Sequence, residues 1–290
     1  MKQPLMLKPK PFLDLLVHDI DAKGDNAGLC AGFERGEWRC KQFAEHVLEW
    51  LPEFALGSSE AASLSAHNAL RMIRRAARTL YRSEHYQRRG EFGEVLLHIA
   101  IRQVYSSFPL VSKIFFKNSV NDTVKGFDAV HVVAGSAGLE LWLGEVKFYT
   151  NLTKAIYDVS EEIIAHLRTD YLRSEFLLIS NKIDPAWPHQ EEIRTLLDEN
   201  TSIDQVFRAA AIPILLSYES GSLKKGEKSY RRAIEQELAS GFDCVRSSLD
   251  EKYRQEFSTG IPLRVHVFLV PLESKENLLR ELHSGLERLQ

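Results

Sequence analysis

The sequence predicts a mixed α/β fold, in which helices flank a sheet of parallel and antiparallel strands. Between residues 91 and 180 the hydrophobic period changes in the order helix, three strands, helix, strand. The turn segment "GSAG" between two of the strands favours an antiparallel meander, and the helix before the last strand favours a crossover. The content of 44% hydrophobic and 27% charged residues is typical of a folded protein with a sizeable core.

Composition excludes several classes of protein. No apolar run approaches the roughly 18 residues that a transmembrane helix needs, and the N-terminus lacks the apolar segment of a secretory signal. The three cysteines, Cys30, Cys40 and Cys244, have no zinc-binding spacing and predict free thiols in a reducing cytoplasm. The net charge of −3 predicts no global affinity for nucleic acid, so any such signal has to be local.

Residues 1–85 are predicted to form an N-terminal module ahead of a second domain over residues 86–290. A short hairpin is expected around residues 34–36, followed by a helix over 40–56 that stops near Pro52. Residues 57–65 are small and polar and predict a linker or the start of a helix. An arginine-rich helix then extends to about Ser83.

The arginine-rich helix carries the one strong local charge signal. Seven arginines and a single acid, Glu84, lie between residues 71 and 89. Five of these arginines recur at helical spacing and form a stripe: Arg71, Arg74, Arg75, Arg78 and Arg82. The apolar face is predicted beside them at Leu70, Ile73, Ala77, Leu80 and Tyr81. Guanidinium groups donate in parallel pairs to phosphate oxygens, so the stripe is a candidate DNA-binding surface. The alternatives are a solvated helix face and a contact with an acidic protein.

The second domain is predicted to have a core over residues 86–182 and an extension over 183–290. The core elements are a helix over 91–105, strands over 113–120, 127–134 and 139–149, a helix over 152–168, and a strand over 174–180. The extension is predicted to hold a helix over 189–200, a strand over 211–219, a long helix over 229–257, a strand over 262–272 and a terminal helix over 275–289. Gly241 is a candidate break in the long helix.

The strand "LELWLGEVKFY" (139–149) places two opposite charges near the end of an apolar run. An acid two residues before a lysine occurs four times in the chain, and only Glu145 and Lys147 end a long apolar strand. Strand periodicity puts both on the face of Leu141 and Leu143. A carboxylate on a face that buries leucines needs a partner or a metal, although a structural ion pair is the simpler interpretation.

A second carboxylate is predicted to lie close to Glu145. If strands 127–134 and 139–149 pair antiparallel across "GSAG", Asp128 and Glu145 come together at the far end of the hairpin. The preceding helix supplies Glu94, or Glu91 if that helix is rotated. These acids and Lys147 form a candidate site for hydrolysis of phosphodiester bonds.

The predicted chemistry depends on Mg²⁺, with Mn²⁺ as the alternative ion. Hard oxygen ligands suit Mg²⁺, so Asp128 and Glu145 are the main candidate ligands and the Val146 carbonyl is a third. Lys147 would orient the attacking water and stabilise the transition state. Glu94 would bind a second metal or hold a water ligand.

The motifs "FDAV" and "LGEVK", which follow a helix containing "GEFGE", resemble the PD-(D/E)xK nuclease superfamily over residues 86–182. The resemblance implies an αβββαβ core like that of restriction endonucleases. Phe127 stands where the proline of the family motif would be. Because the motif is short, the predicted order of elements supports the resemblance as much as the residues do.

A second resemblance covers most of the chain. The segments "AGFERGEWRC", "HVLEWLPEFAL", "RRGEFGE" and "LGEVKF" are similar to the HamA/AbpA C-terminal-domain family of antiphage proteins. This resemblance implies the nuclease subunit of a Hachiman-type defence system that acts on DNA with a HamB-type superfamily-2 helicase. The rival interpretation is a catalytically silent subunit of the same fold that binds DNA or serves as a scaffold.

Overall fold

We describe the fold from a computed structural model. It describes residues 8–21, 23–56, 60, 63–80, 90–112, 126–135, 138–185, 187, 189–226, 230–257 and 263–290. The strands are β1 (Asp14–Asp19), β2 (Asn26–Cys30), β3 (Phe33–Glu34), β4 (Glu37–Trp38), β5 (Ser107–Ser112), β6 (Ala129–Gly135), β7 (Gly138–Phe148), β8 (Ala210–Glu219) and β9 (Arg264–Leu272). The helices are α1 (Cys40–Glu49), α2 (Leu51–Ala55), α3 (Ala69–Leu80), α4 (Glu91–Val104), α5 (Leu152–His166), α6 (Thr169–Lys182), α7 (Gln190–Leu196), α8 (Ile203–Arg208), α9 (Tyr230–Phe257) and α10 (Lys275–Arg288).

A seven-stranded sheet organises the molecule, in the order β1-β2-β9-β8-β7-β6-β5. The four central strands β2, β9, β8 and β7 run parallel, whereas β1, β6 and β5 pair antiparallel at the two sides. The predicted mixed sheet is therefore confirmed. The strands predicted over 127–134 and 139–149 are present as β6 and β7, and the predicted strands and helices of the extension are also present.

Helices cover both faces of this sheet. On one face, α1, α2, α3, α4 and α10 pack into a single core with Trp142, Val146 and Phe148 of β7. On the other face, α5 and α9 pack on β8 and β9, while α6, α7 and α8 pack on β6 and on Leu141 and Leu143 of β7. β7 is therefore covered on both faces and paired along both edges, and residues 141–146 are all buried.

The strand predicted over residues 174–180 is wrong, because these residues belong to α6. Leu172, Phe176 and Ile179 are buried, whereas Leu177 is 64% and Leu178 is 42% exposed. That pattern has the helical period, which a short apolar run conceals. The strand that follows the helix after the β-meander is instead β8, and α6, α7 and α8 precede it in the chain.

The strand beside β6 and the long helix α9 each differ from the prediction. The strand predicted over 113–120 lies outside the described residues, and the strand that pairs with β6 is β5, which contains Pro109 at the edge of the sheet. Gly241 does not break the long helix: α9 is continuous, and Gly241 instead lets it approach Leu269 of β9 closely.

The N-terminal hairpin is confirmed as β3 and β4. The helix predicted to stop near Pro52 does so: α1 ends at Glu49, and Pro52 lies in the first turn of α2, where its missing N–H costs nothing. β1 and β2 lie in the large sheet, with β2 next to β9. The division into domains at residue 85 stays a prediction. In the described part of the chain, no helix combines the length and apolar character needed to cross a membrane.

The contact between α4 and β7 depends on two glycines. A Cβ at Gly93 of α4 would lie 2.9 Å from the Phe148 Cβ, and one at Gly144 of β7 would lie 2.9 Å from the Leu97 Cδ2. Both distances are too short for real side chains, so glycine is needed where the helix crosses the strand. These two glycines therefore allow the short distance between α4 and β7.

We expect Gly93→Ala to lower the free energy of unfolding by about 1 to 3 kcal/mol, because the new methyl group overpacks the junction between α4 and β7. This net loss is expected even though alanine is more favourable than glycine in a helix interior by roughly 1 kcal/mol. Gly221→Ala is the control, since a Cβ there meets nothing within 4 Å. Denaturant unfolding followed by circular dichroism measures both variants. Equal stabilities of the two variants would contradict the close contact.

Candidate active site

The β6–β7 hairpin brings two carboxylates together. Ala129 pairs with Gly144, and continuing this register by one residue places Asp128 opposite Glu145. The Asp128 N–H donates to the Gly144 carbonyl at 2.8 Å, which holds the chain in that register beyond the end of β6. The Asp128 Oδ2 in turn accepts from the Val146 N–H at 2.9 Å. The juxtaposition predicted across "GSAG" is present.

Glu145 is the most deeply buried charged side chain of the hairpin, with 1% of its surface exposed. Its Oε1 lies 2.7 Å from the Nδ1 of His166, at the C-terminal end of α5. The His166 ring stacks on Tyr171 of α6, with 4.3 Å between ring centroids and 10° between planes. Phe127 meets the same ring edge-on at 5.1 Å. These contacts hold the imidazole against the carboxylate.

A third carboxylate, Glu175, reaches the same region from α6. Glu175 is 5% exposed, and its Oε2 lies 2.8 Å from the position that a Cβ would take on Gly126, two residues before Asp128. Burial raises the pKa of the Tyr171 hydroxyl, and the charges of Glu175, Glu145 and Asp128 raise it further. The Tyr171 hydroxyl is therefore affected by the charges of all three carboxylates.

Lys147 lies two residues beyond Glu145 on the same face of β7. Its side chain is 14% exposed, and its Nζ forms an ion pair with the Glu162 carboxylate of α5. Glu162 precedes His166 by one helical turn, so the two residues share a face of α5. The lysine and the carboxylate of β7 are thus each contacted by the same helix.

The predicted glutamates of the preceding helix lie in the first turn of α4. Glu94 is buried, with 6% exposure, and Glu91 is half-buried. Their helix packs on the face of Val146 and Phe148, which is opposite to the face that carries Glu145 and Lys147. Glu94 is therefore the more buried of the two candidates, and its helix is on the other side of the sheet.

The oxygen donors at this site suit an open Mg²⁺ site better than a metal centre that is closed by protein ligands. Within the described residues, no three His, Cys, Asp or Glu side chains are grouped to hold a metal ion. Asp128 and Glu145 nevertheless supply two hard carboxylates side by side, and Mg²⁺ commonly binds through one or two carboxylates with water and substrate oxygens completing its shell. The structure connects Asp128 with the N–H of Val146, and it assigns no role to the predicted Val146 carbonyl ligand.

Sequence reasoning missed His166, Tyr171, Glu175 and Glu162. Two of them, Glu162 and His166, could have been found from the helical period of residues 152–168. Glu162 and His166 are four residues apart on a helix that follows the charged strand directly. Glu175 precedes the buried Phe176 of α6, and the strand predicted for "SEFLLIS" places its side chain incorrectly.

The arginine helix is present as α3. Arg71, Arg74, Arg75 and Arg78 are exposed, and Arg82 lies outside the described residues. The apolar face is rotated from the prediction: Met72, Ala76, Ala77 and Leu80 are buried, whereas Leu70 is 60% exposed. Of the four described arginines, an ion pair is recorded for Arg75 alone, with Glu60 at 2.7 Å.

A cavity of about 660 Å³ lies at the opposite end of the sheet from Lys147, near the first residues of β8 and β9. Its most buried cation, Arg246, donates to the carbonyls of Gly24, Asp25 and Val265. Arg264 at the cavity forms an ion pair with Glu140. Arg246 therefore serves to join the β1–β2 connection to β9, and the cavity is separate from the carboxylates.

Comparison with known proteins gives two matches. A family model described as HamA matches residues 10–286. The chain is also similar to Anti-bacteriophage protein A of Escherichia coli (strain K12), with 24% identity over 266 residues that cover 89% of this chain and 47% of that protein. The chain thus spans about half the length of this curated relative.

We expect the contact between Glu145 and His166 to be worth about 1 to 3 kcal/mol in a double-mutant cycle, because both side chains are buried. The cycle combines Glu145→Gln and His166→Asn, with free energies of unfolding measured in denaturant near pH 7. The control pair is His189 and Glu192, which lie 3.8 Å apart with side chains 44% and 56% exposed. Its coupling should stay below about 0.5 kcal/mol. Equal coupling in both cycles would show that the buried contact has no special strength.

Proposed function

The chain belongs to the HamA family, as its sequence motifs predict, and on that premise we propose that it is a metal-dependent nuclease subunit of an antiphage defence complex. Its reaction is hydrolysis of DNA phosphodiester bonds together with a partner helicase. The observation that carries this proposal is the pairing of Asp128 with Glu145 at the end of the hairpin, with Lys147 on the same face. The name of the Escherichia coli relative supports the defence role.

Asp128 and Glu145 are the residues that would hold Mg²⁺, or Mn²⁺ as the alternative. When bound, the ion lowers the pKa of a water molecule and neutralises charge on the phosphoryl oxygens. The chain's contribution is to keep the two carboxylates adjacent and screened from bulk water. The contact with His166 and the hydrogen bond from the Val146 N–H support the carboxylates in that arrangement.

Lys147 is the proposed cationic catalytic residue. An ammonium group two residues from Glu145 on one strand face lies about 7 Å further along the strand, which is within reach of a phosphate held by the carboxylates. It orients the attacking water and offsets the negative charge that develops as the P–O bond breaks. Glu94 stays a proposed fourth member of the site, although its helix α4 packs on the opposite face of the sheet.

The proposed substrate surface extends to α3. The exposed guanidinium groups of Arg71, Arg74 and Arg78 suit the phosphate backbone of DNA, which binds without regard to sequence. The partner is proposed from the family: a HamB-type superfamily-2 helicase that supplies the unwinding of DNA.

A catalytically silent subunit is the second candidate. Two observations favour it: the described residues include no group of three His, Cys, Asp or Glu side chains that could hold a metal, and Lys147 is ion-paired with Glu162. In that case the acids support the hairpin, and the protein binds DNA or its helicase without cleaving. Cleavage assays separate the two candidates directly.

We expect Glu145→Ala and Lys147→Ala each to reduce plasmid cleavage in Mg²⁺ by at least about 100-fold, since each removes a group used in the transition state. The assay uses the full chain, alone and with the helicase, and EDTA should abolish the activity of the wild type. Glu192→Ala, an exposed residue of α7, is the control. Cleavage that survives both substitutions would refute the site, and wild-type protein without cleavage would favour the silent subunit.

Charge reversal on α3 tests the DNA-binding surface. We expect Arg74→Glu with Arg78→Glu to weaken DNA binding, and the slope of log K against log salt to fall by about one for each phosphate that the variant no longer neutralises. The control is Arg280→Glu on α10, a residue that is 60% exposed and paired with Glu276. Fluorescence anisotropy over a salt series measures both. An unchanged affinity and slope would assign the stripe to a protein partner or to solvent.

A further inference from the structure

Three residues on one face of the chain, two near the end of β7 and one just after it, each contact a polar residue of α5. Glu145 contacts His166, Lys147 pairs with Glu162, and the hydroxyl of Tyr149 donates to Asp158 at 2.9 Å. We call this set of three contacts the polar ladder. The residues on the strand side alternate, as one face of an extended chain requires, and those on the helix side are spaced by four.

The ladder runs from the interior of the protein to its surface. The side chains of Glu145 and His166 are 1% and 9% exposed, and those of Lys147 and Glu162 are 14% and 36% exposed. At the outer contact, Asp158 also accepts from the Lys154 Nζ at 2.8 Å. The hydrogen bond from Lys154, followed by that from Tyr149, lowers the pKa of Asp158, and the charge of Lys147 lowers it as well. Lys147 therefore pairs with one acid of this helix and acts through its charge on a second.

α5 is a rigid support for these contacts. Ala155, Val159 and Ile163, on its buried face, have no exposed surface and pack against Ile214 and Leu216 of β8. Its first turn is capped by the Asn151 side chain, which accepts from the Lys154 N–H at 2.8 Å. Polar groups on a helix that is held in this way are placed more accurately than groups on a loop.

We propose that Glu162 is a positioning residue for Lys147, and this inference rests on the proposed nuclease function. A lysine side chain has four rotatable bonds and loses considerable entropy when its end is fixed. The Glu162 carboxylate supplies that restraint: it holds the ammonium group against the face of α5 that also contacts Glu145 through His166. Glu162 acts through Lys147 and does not itself touch the substrate.

A second ion pair on the same helix provides a matched comparison. Glu161, the next residue of α5, pairs with Lys252 of α9, and the Glu161 side chain is 58% exposed. Substituting Glu161 removes the same charge from the same helix and leaves the polar ladder in place. Any effect of Glu162 that Glu161 does not share must therefore come through Lys147.

The first measurement does not require catalysis. Lysines of the full chain are acetylated with an amine-reactive reagent, and the rate at Lys147 is followed by mass spectrometry, with the exposed Lys154 as internal reference. We expect Glu162→Ala to raise the rate at Lys147 several-fold, Glu162→Gln to give an intermediate rate, and Glu161→Ala to leave it unchanged. Equal rates in Glu162→Ala and Glu161→Ala would overturn the proposal.

The second measurement is cleavage by the same variants, in complex with the helicase if cleavage requires it. We expect Glu162→Ala to lower kcat by about 10- to 100-fold with little change in KM, as is usual when a group that orients a reactive residue is removed. Glu162→Gln, which keeps an acceptor oxygen, should recover part of that activity. A kcat equal to that of Glu161→Ala, or higher than that of the wild type, would overturn the positioning role. Failure of the wild type to cleave would instead refute the proposed nuclease function, and the acetylation rates would still decide the contact.

Discussion

The arrangement of this molecule depends on the burial of β7. The strand is paired on both edges and covered on both faces, yet it carries Glu145 and Lys147 near its end. Charges in such a place cannot be solvated, so the protein has to supply their partners. The hydrogen bond from the Val146 N–H to Asp128, the imidazole of His166 and the carboxylate of Glu162 all meet that requirement. Gly93 and Gly144 meet a different requirement, since they let α4 lie close against the opposite face of β7.

The sequence predicts those parts of the fold that depend on residues close together in the chain, and it fails where packing between distant segments decides. The β6–β7 hairpin has a short turn and clear alternation, so its register and the pairing of Asp128 with Glu145 follow from the residues alone. Glu175 could not be placed in the same way, because "SEFLLIS" is apolar enough to suit a strand or a helix, and packing against β6 selects the helix. The rotation of α3 also depends on packing: Met72 and Ala76 face the core, while Leu70 is left outside.

The two surfaces proposed to meet DNA belong to different layers. α3 packs in the core layer of α4 and α10, whereas the polar ladder and Glu175 lie on the other face of the sheet. Under the proposed function, a single DNA segment that contacts both surfaces would therefore have to extend around the sheet from one face to the other.

The position of β2 has a consequence for how the protein is made. β2 lies between β1 and β9, and its loop residue Asp25 bonds to His266, 241 residues later in the chain. During synthesis, the first two strands leave the ribosome long before the strand that joins them to the sheet. The central sheet can close only when the chain has been made as far as β9, and such distant pairing is slow. The sheet therefore gains the strand that pairs with β8 only after β9 has been synthesised.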